Sequence, residues 1–255
     1  MNIKDLAHEL KLSYIREHFK ILIDEATHTK SGYDEFLFNV LENEVIQRRS
    51  NGISRKIKTA KFPNKKYLDD FKASRYSDSL EMRIKSLKSL SFVDNKENII
   101  MIGNPGSGKT HLAIGLGLKA CHEGKNVLFI SVPNLIIQLK EALSNRQLDS
   151  YKRKFERFDL VIIDELGYVS FDKSGCEILF NLLSNRNDKG STIITSNLNF
   201  ERWEEIFKDP MLTGALIDRL THKAHILDMT IEQSYRFEET EEWLKSAYLT
   251  DPKLN

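Results

Sequence analysis

From Asn98 onward, short apolar runs alternate with longer stretches in which apolar residues recur every three or four positions. The runs are NIIMI (98–102), NVLFI (126–130), DLVIID (159–164), STIITSN (191–197) and AHILDM (224–229). Nearly continuous apolar character over so few residues is the mark of a strand buried on both faces. Residues 109–123, 133–143, 172–186, 200–207 and 212–222 carry the helical spacing between them. Strands alternating with helices predict an α/β fold, a parallel sheet covered by helices. Ahead of this zone the pattern differs. Leu6, Leu10, Tyr14, Phe19 and Ile23, then Phe36, Leu37, Val40, Leu41 and Val45, follow helical spacing without strands between them. They predict a small all-helical N-terminal module of two or more helices, interrupted near Lys30, Ser31 and Gly32.

Charge adds a third zone. The 255-residue chain has a formal net charge of only +1, so attraction to a polyanion has to come from a local patch. Residues 46–66 supply one: Arg48, Arg49, Arg55, Lys56, Lys58, Lys61, Lys65 and Lys66 with no Asp or Glu among them, and Phe62 and Tyr67 near the end. Cations mixed with aromatics suit a phosphate backbone; the same stretch also reads as a solvated helix face or a linker. The expected division is a helical domain over 1–66 that includes this segment, and a second domain over 67–255. Two cysteines, Cys121 and Cys176, without C-x-x-C spacing suggest neither a disulfide framework nor a zinc site. The charged start lacks an apolar signal core, and no run of about 18 apolar residues occurs, so a cytoplasmic protein without a membrane span is expected.

The chemistry concentrates at strand ends. GNPGSGKT, residues 103–110, fits G-x-x-x-x-G-K-[ST] between the first strand and a helix. Backbone N–H groups gather there at a helix N-terminus, which favours anions. Lys109 can reach the β and γ phosphate oxygens, and the Thr110 hydroxyl can bind Mg²⁺. LVIIDE (160–165) ends a buried strand in two carboxylates, Asp164 for the metal and Glu165 for the attacking water. The pair points to ATP hydrolysis rather than nucleotide storage. Thr195, Ser196 and Asn197 end another strand, either as a plain turn or with Asn197 set between the two active-site strands, against the γ-phosphate or lytic water.

GNPGSGKTHLA, VIIDELGY, STIITSN, ALIDRLTHKAHIL and QSYRF, in this order and spacing, resemble the IstB-like family of AAA+ ATPases. Its members are helper proteins of insertion sequences, related to the DnaC helicase loaders. The resemblance implies a P-loop AAA+ fold and assigns Gly103, Asn104, Pro105, Gly106, Ser107, Gly108, Lys109, Thr110 and His111 to nucleotide binding. It makes Asp164 and Glu165 the Walker B pair and Asn197 the first sensor. Arg219, otherwise a surface helix arginine, becomes an arginine finger for a neighbouring subunit. Arg236 resembles a second sensor. Two departures stand out: IEQSYR replaces the family's usual glycine–glutamate pair ahead of SYR, and the aromatic-acidic pattern near DDFKAS is reduced to Phe71.

The implied function is that of an ATP-dependent helper of a transposase. It would oligomerise on double-stranded DNA, through Arg48, Arg49, Arg55, Lys56, Lys58 and Lys61 or through other cations such as Lys152, Arg153 and Lys154, and hydrolyse ATP with Mg²⁺ at subunit interfaces. A replicative helicase loader shares the same core and is the alternative. The acidic tail, Glu238, Glu239, Glu241 and Glu242 beside Trp243 and Leu244, reads as a solvated helix or a docking site for the transposase or a neighbouring subunit.

Overall fold

The computed structural model describes residues 2–167, 173–231, 234 and 240. The chain divides into two compact units, Met1–Lys56 and Ile57–Asn255.

Helices α1 (Ile3–Glu9) and α2 (Ser13–Thr29) precede the long α3 (Tyr33–Ala60). Asn2 opens α1 with a capping box shared with Asp5. Lys30, in the left-handed region at φ 53°, ends α2 inside the predicted break. The start of α2 poses a problem, since Leu12 in the capping position has no acceptor to offer. Glu44 of α3 solves it from a distance. Its buried carboxylate accepts the N–H groups of Ser13 (3.0 Å), Tyr14 (2.8 Å) and Ile15 (3.2 Å). A carboxylate at a helix N-terminus also meets the positive end of the dipole. Arg48, one turn on, pairs with Glu44 at 3.4 Å and donates to the Lys11 carbonyl at 3.2 Å. One of the expected DNA-binding arginines is thus engaged in holding the α1–α2 turn to α3.

The second unit opens with the end of α3. Ala60 is fully buried in its core, with Ile57 and Phe62 packed against the same cluster. The division at 56/57 falls ten residues ahead of the expected boundary at 66/67, and apolar side chains at the end of the basic stretch pack with the sheet domain. Two glycines of α6 (Lys109–His122) make room: a Cβ at Gly115 would come within 2.7 Å of Leu68 Cδ2, and one at Gly117 within 2.9 Å of the Phe62 ring. Two helices not read from the sequence follow, α4 (Asp78–Leu87), capped by Ser77, and the single turn α5 (Ser91–Asp94).

The sheet comprises β1 (Asn98–Ile102), β2 (Val127–Ser131), β3 (Leu160–Leu166), β4 (Ser191–Ser196) and β5 (Ala224–Asp228), all parallel, in the order β2-β3-β4-β1-β5. Successive residues alternate between two cores. Ile99, Met101, Leu160 and Ile162 face the cluster under α6, while Ile100, Val161, Ile163 and Ile194 face the other. That second cluster packs against α7 (Val132–Ser144), α8 (Leu148–Glu156), α9 (Lys173–Ser184), α10 (Glu204–Phe207) and α11 (Pro210–Thr221). With β4 inserted between β1 and β3, the loop after β1 and the carboxylates of β3 flank the end of β4.

At the opposite end of the sheet one charge is buried. Arg186 donates to the carbonyls of Phe155 (2.7 Å), Phe158 (3.0 Å) and Ser191 (2.9 Å) and lies over the Phe155 ring. Burial pulls its guanidinium down to about 10, which still leaves it charged at neutral pH. Those carbonyls close the segments entering β3 and β4, and no apolar side chain can satisfy them. Arg186→Leu should therefore lower unfolding stability by about 3 kcal/mol or more, read as a reduced denaturation midpoint at unchanged slope.

Candidate nucleotide site

The loop after β1 curls around its own lysine. Lys109, first residue of α6, donates Nζ protons to the carbonyls of Gly103 (2.7 Å) and Asn104 (2.9 Å) and to Ser107 Oγ (3.3 Å). This holds the ammonium at the centre of the turn. Gly106 adopts φ 79°, and a Cβ there would come within 1.9 Å of Ser234 Oγ. Only glycine fits both that conformation and that neighbour. Tyr76, stacked on Phe71, donates its hydroxyl to the Ser107 carbonyl, so the segment after the basic stretch braces the loop from outside.

The carboxylates of β3 take different environments. Asp164 is buried, and its Oδ1 accepts the hydroxyl protons of Thr110 (2.9 Å) and Thr195 (2.6 Å). Glu165 is exposed at φ 67°, where the register between β3 and β4 slips. Each residue ending β4 has a separate place. Thr195 joins Asp164, and Ser196 donates to the Leu166 carbonyl at 2.6 Å while accepting Leu198 N–H at 3.1 Å. Asn197 lines the cleft, and its buried Oδ1, packed beside Gly167, has no hydrogen-bond partner among the described residues. An orphaned buried acceptor of this kind fits a polar ligand. Gly167, at φ 130°, gives that carboxamide its room: a Cβ would come within 2.6 Å of Asn197 Oδ1.

Together these groups line a cleft of about 300 Å³ that includes Pro105 to His111, Glu165 and Thr195 to Asn197. Its other wall holds Asn64, Lys66, Phe71 and Ile114. Sequence reasoning singled out Phe71 there but missed Asn64, and it counted Lys66 among the basic stretch without giving it a place at this site. The signal was the pair of small residues on α6, which lets the 62–68 segment lie against that helix. His111 Nε2 lies 2.9 Å from the Tyr67 carbonyl, so that nitrogen carries the proton, and its ring meets Phe71 edge-on at 5.5 Å. The aromatic wall suits a purine and the glycine loop a polyphosphate.

Two expected residues stand elsewhere. Asn104 turns away from the cleft, donating to the Ile231 carbonyl (2.7 Å) and accepting Ile231 N–H (3.1 Å), so it ties the loop to the segment after β5. Arg219 lies at the far end of the sheet. The carbonyl of its neighbour Leu220 accepts from Asn98, the first residue of β1, whereas the phosphate loop follows the last. Five residues at ~3.3 Å each put roughly 16 Å between those levels. The Arg219 guanidinium sits over the Phe180 ring, 4.8 Å from its centre. Arg236 and the acidic tail from Glu238 to Leu244, apart from Thr240, lie outside the described residues.

A parallel sheet of this order, with a glycine-rich phosphate loop and a carboxylate pair on the strand two places away, defines a P-loop nucleotide-binding protein of the AAA+ class. The chain belongs to the family described as IstB-like ATP binding protein, whose family model matches residues 5–242. It is 37% identical over 237 residues to the ATP-binding protein of insertion sequence IS5376 from Geobacillus stearothermophilus, covering 93% of this chain and 94% of that one. To the ATP-binding protein of insertion sequence IS21 from Pseudomonas aeruginosa it is 35% identical over 234 residues, 92% of this chain and 88% of the relative. Among solved structures, the DnaC helicase loader superposes with a TM-score of 0.51 at 15% identity, over 72% of this chain and 99% of that one, a likeness of fold.

The glycine after the carboxylate pair supplies a test. Gly167→Ala would place a side chain in a backbone region that costs on the order of 1–3 kcal/mol and would displace Asn197. A lower melting temperature is expected.

Proposed function

We propose that this protein is a DNA-dependent ATPase that assembles on double-stranded DNA and assists a transposase, with each ATP held by one subunit and completed by the next. The observation that carries the reading is the division of the candidate residues. Lys109, Thr110, Glu165 and Asn197 line one cleft with Asp164 just behind it, while Arg219 stands at the other end of the sheet, out of reach of its own phosphate loop.

Within the cleft the roles follow from chemistry. The loop's N–H groups and the Lys109 ammonium hold the phosphates. Two hard oxygens, Thr110 Oγ1 and the Asp164 carboxylate, meet at 2.9 Å, a donor set that suits Mg²⁺, which prefers few protein ligands. Bound there, Mg²⁺ supplies charge neutralisation on the phosphate oxygens. Glu165, exposed at the cleft, orients the attacking water and draws off its proton. Asn197 offers its carboxamide to the same water or to the γ-phosphate. Arg219, over the Phe180 ring, presents a planar guanidinium to the phosphate of a neighbouring subunit.

A mixing experiment tests the shared site. Lys109→Ala cannot hold ATP but keeps its arginine; Arg219→Ala holds ATP but lacks the finger. Each alone should lose DNA-stimulated turnover, on the order of 10³-fold for the arginine, and a mixture of the two on DNA should recover part of it. Retained turnover in Arg219→Ala, or a mixture as silent as its components, would count against the reading.

For DNA, Arg49 and Arg55 are exposed on α3, and Arg49 and Lys56, seven residues apart, share a face of it. Arg48 is engaged with Glu44 and the Lys11 carbonyl. Changing Arg49, Arg55 and Lys58 to Gln should reduce the slope of log affinity against log salt by about one unit for each DNA phosphate that no longer meets a cation. An unchanged slope would move the DNA-binding face to another surface, with Lys152, Arg153 and Lys154 the first to test.

A further inference from the structure

We propose that Thr195 is the positioning residue for Glu165: its hydroxyl, rather than the regular ladder between β3 and β4, fixes where the hydrolytic carboxylate stands. The inference rests on the hydrolytic reading of Glu165 given above and deepens it.

The ladder itself shows why such a group is needed. β3 pairs with β4 in regular steps as far as Ile163 with Ile194, and the next pair is Leu166 with Ser196. Three steps along β3 therefore match two along β4, and the additional residue falls within Asp164–Glu165. In a regular strand, consecutive side chains point to opposite faces, so two adjacent carboxylates could not both serve one cleft. The bulge removes that restriction, letting Asp164 meet Thr110 while Glu165 lines the cleft. A bulge also leaves backbone groups without ladder partners, and here it holds a non-glycine residue at φ 67°, a conformation that persists only when its surroundings enforce it.

Thr195 enforces it. Its Oγ1 accepts the Glu165 N–H at 2.9 Å, which satisfies the donor the bulge displaces. The same hydroxyl gives its proton to Asp164 Oδ1 at 2.6 Å, and that oxygen also takes the Thr110 proton at 2.9 Å. One buried hydroxyl thus joins the backbone of the water-orienting residue to the carboxylate and hydroxyl assigned to the metal. Because its proton is committed to Asp164, Thr195 acts on the reaction through Glu165 rather than on the nucleotide.

The test compares Thr195→Val, which keeps shape and loses the hydroxyl, with Thr195→Ser, which keeps the hydroxyl. Thr195→Val should lower kcat for DNA-stimulated ATP hydrolysis on the order of 10- to 100-fold, with KM and fluorescent-ATP affinity changed by no more than about twofold; Thr195→Ser should restore most of the rate. In a Glu165→Gln background, Thr195→Val should cause no further loss, since both act through one group. A fully active Thr195→Val, a Thr195→Ser as damaged as Thr195→Val, or losses that multiply in the double variant would overturn the proposal. Amide hydrogen exchange at Glu165 gives a readout that needs no turnover. Exchange should accelerate about tenfold or more in Thr195→Val and stay near wild type in Thr195→Ser; equal protection in all three proteins would also overturn it. Should the wild type show no turnover that Glu165→Gln abolishes, the hydrolytic reading falls, and the exchange result still decides what Thr195 does.

Discussion

Two hydroxyl protons converge on one oxygen of Asp164, and the site depends on that convergence. Thr110 brings the first turn of α6, Thr195 brings the end of β4, and Asp164 itself ends the regular part of β3. Three elements far apart in the chain are joined at a buried point where an unpaired carboxylate would be costly. The Thr110 hydroxyl, the bulged strand and the polar tip of the middle strand are thereby held in one arrangement. Parallel strand order makes this possible, since β4 stands between β1, whose loop leads to Thr110, and β3, whose Asp164 its Thr195 reaches.

Around this point, polar and small residues do what apolar packing cannot. Ser196 closes the turn after β4, Gly167 leaves space for Asn197, and Gly115 and Gly117 let the 62–68 segment lie against α6. The same logic holds the remote parts together. Glu44 caps a helix that has no cap of its own, and Arg186 satisfies carbonyls at the base of the sheet. Each is a charged side chain buried because backbone groups need it, and each is read more easily as a surface residue until its partners are known.

The division of the candidate residues between two ends of the sheet underlies the proposed assembly. In the proposed reading, a cleft that gathers the phosphate-binding and water-orienting groups but leaves the arginine behind needs a second subunit to finish the reaction. Coupling hydrolysis to assembly in this way would make DNA, as the surface on which subunits meet, a natural activator.

The chain alone determined the α/β class, the five strands, the break near Lys30 and the residues of the phosphate loop, because buried strands and glycine turns leave short-range patterns. It also put Asp164, Glu165 and Asn197 at strand ends, since a carboxylate or amide closing an apolar run is a local feature. Tertiary structure alone decided what depends on register and on distant partners. The β3 bulge is invisible in LVIIDE, because pairing with β4 creates it. Asn104 belongs to the loop motif, yet its amide is taken by Ile231, 127 residues away. Arg48 reads as one cation among eight until Glu44 and the Lys11 carbonyl claim it. The end of the basic stretch reads as part of the helical domain until Ala60 and Phe62 are found packed with the sheet. Local sequence carries periodicity and turn chemistry; which strand lies beside which, and which charge meets which carbonyl, are set only when the whole sheet closes.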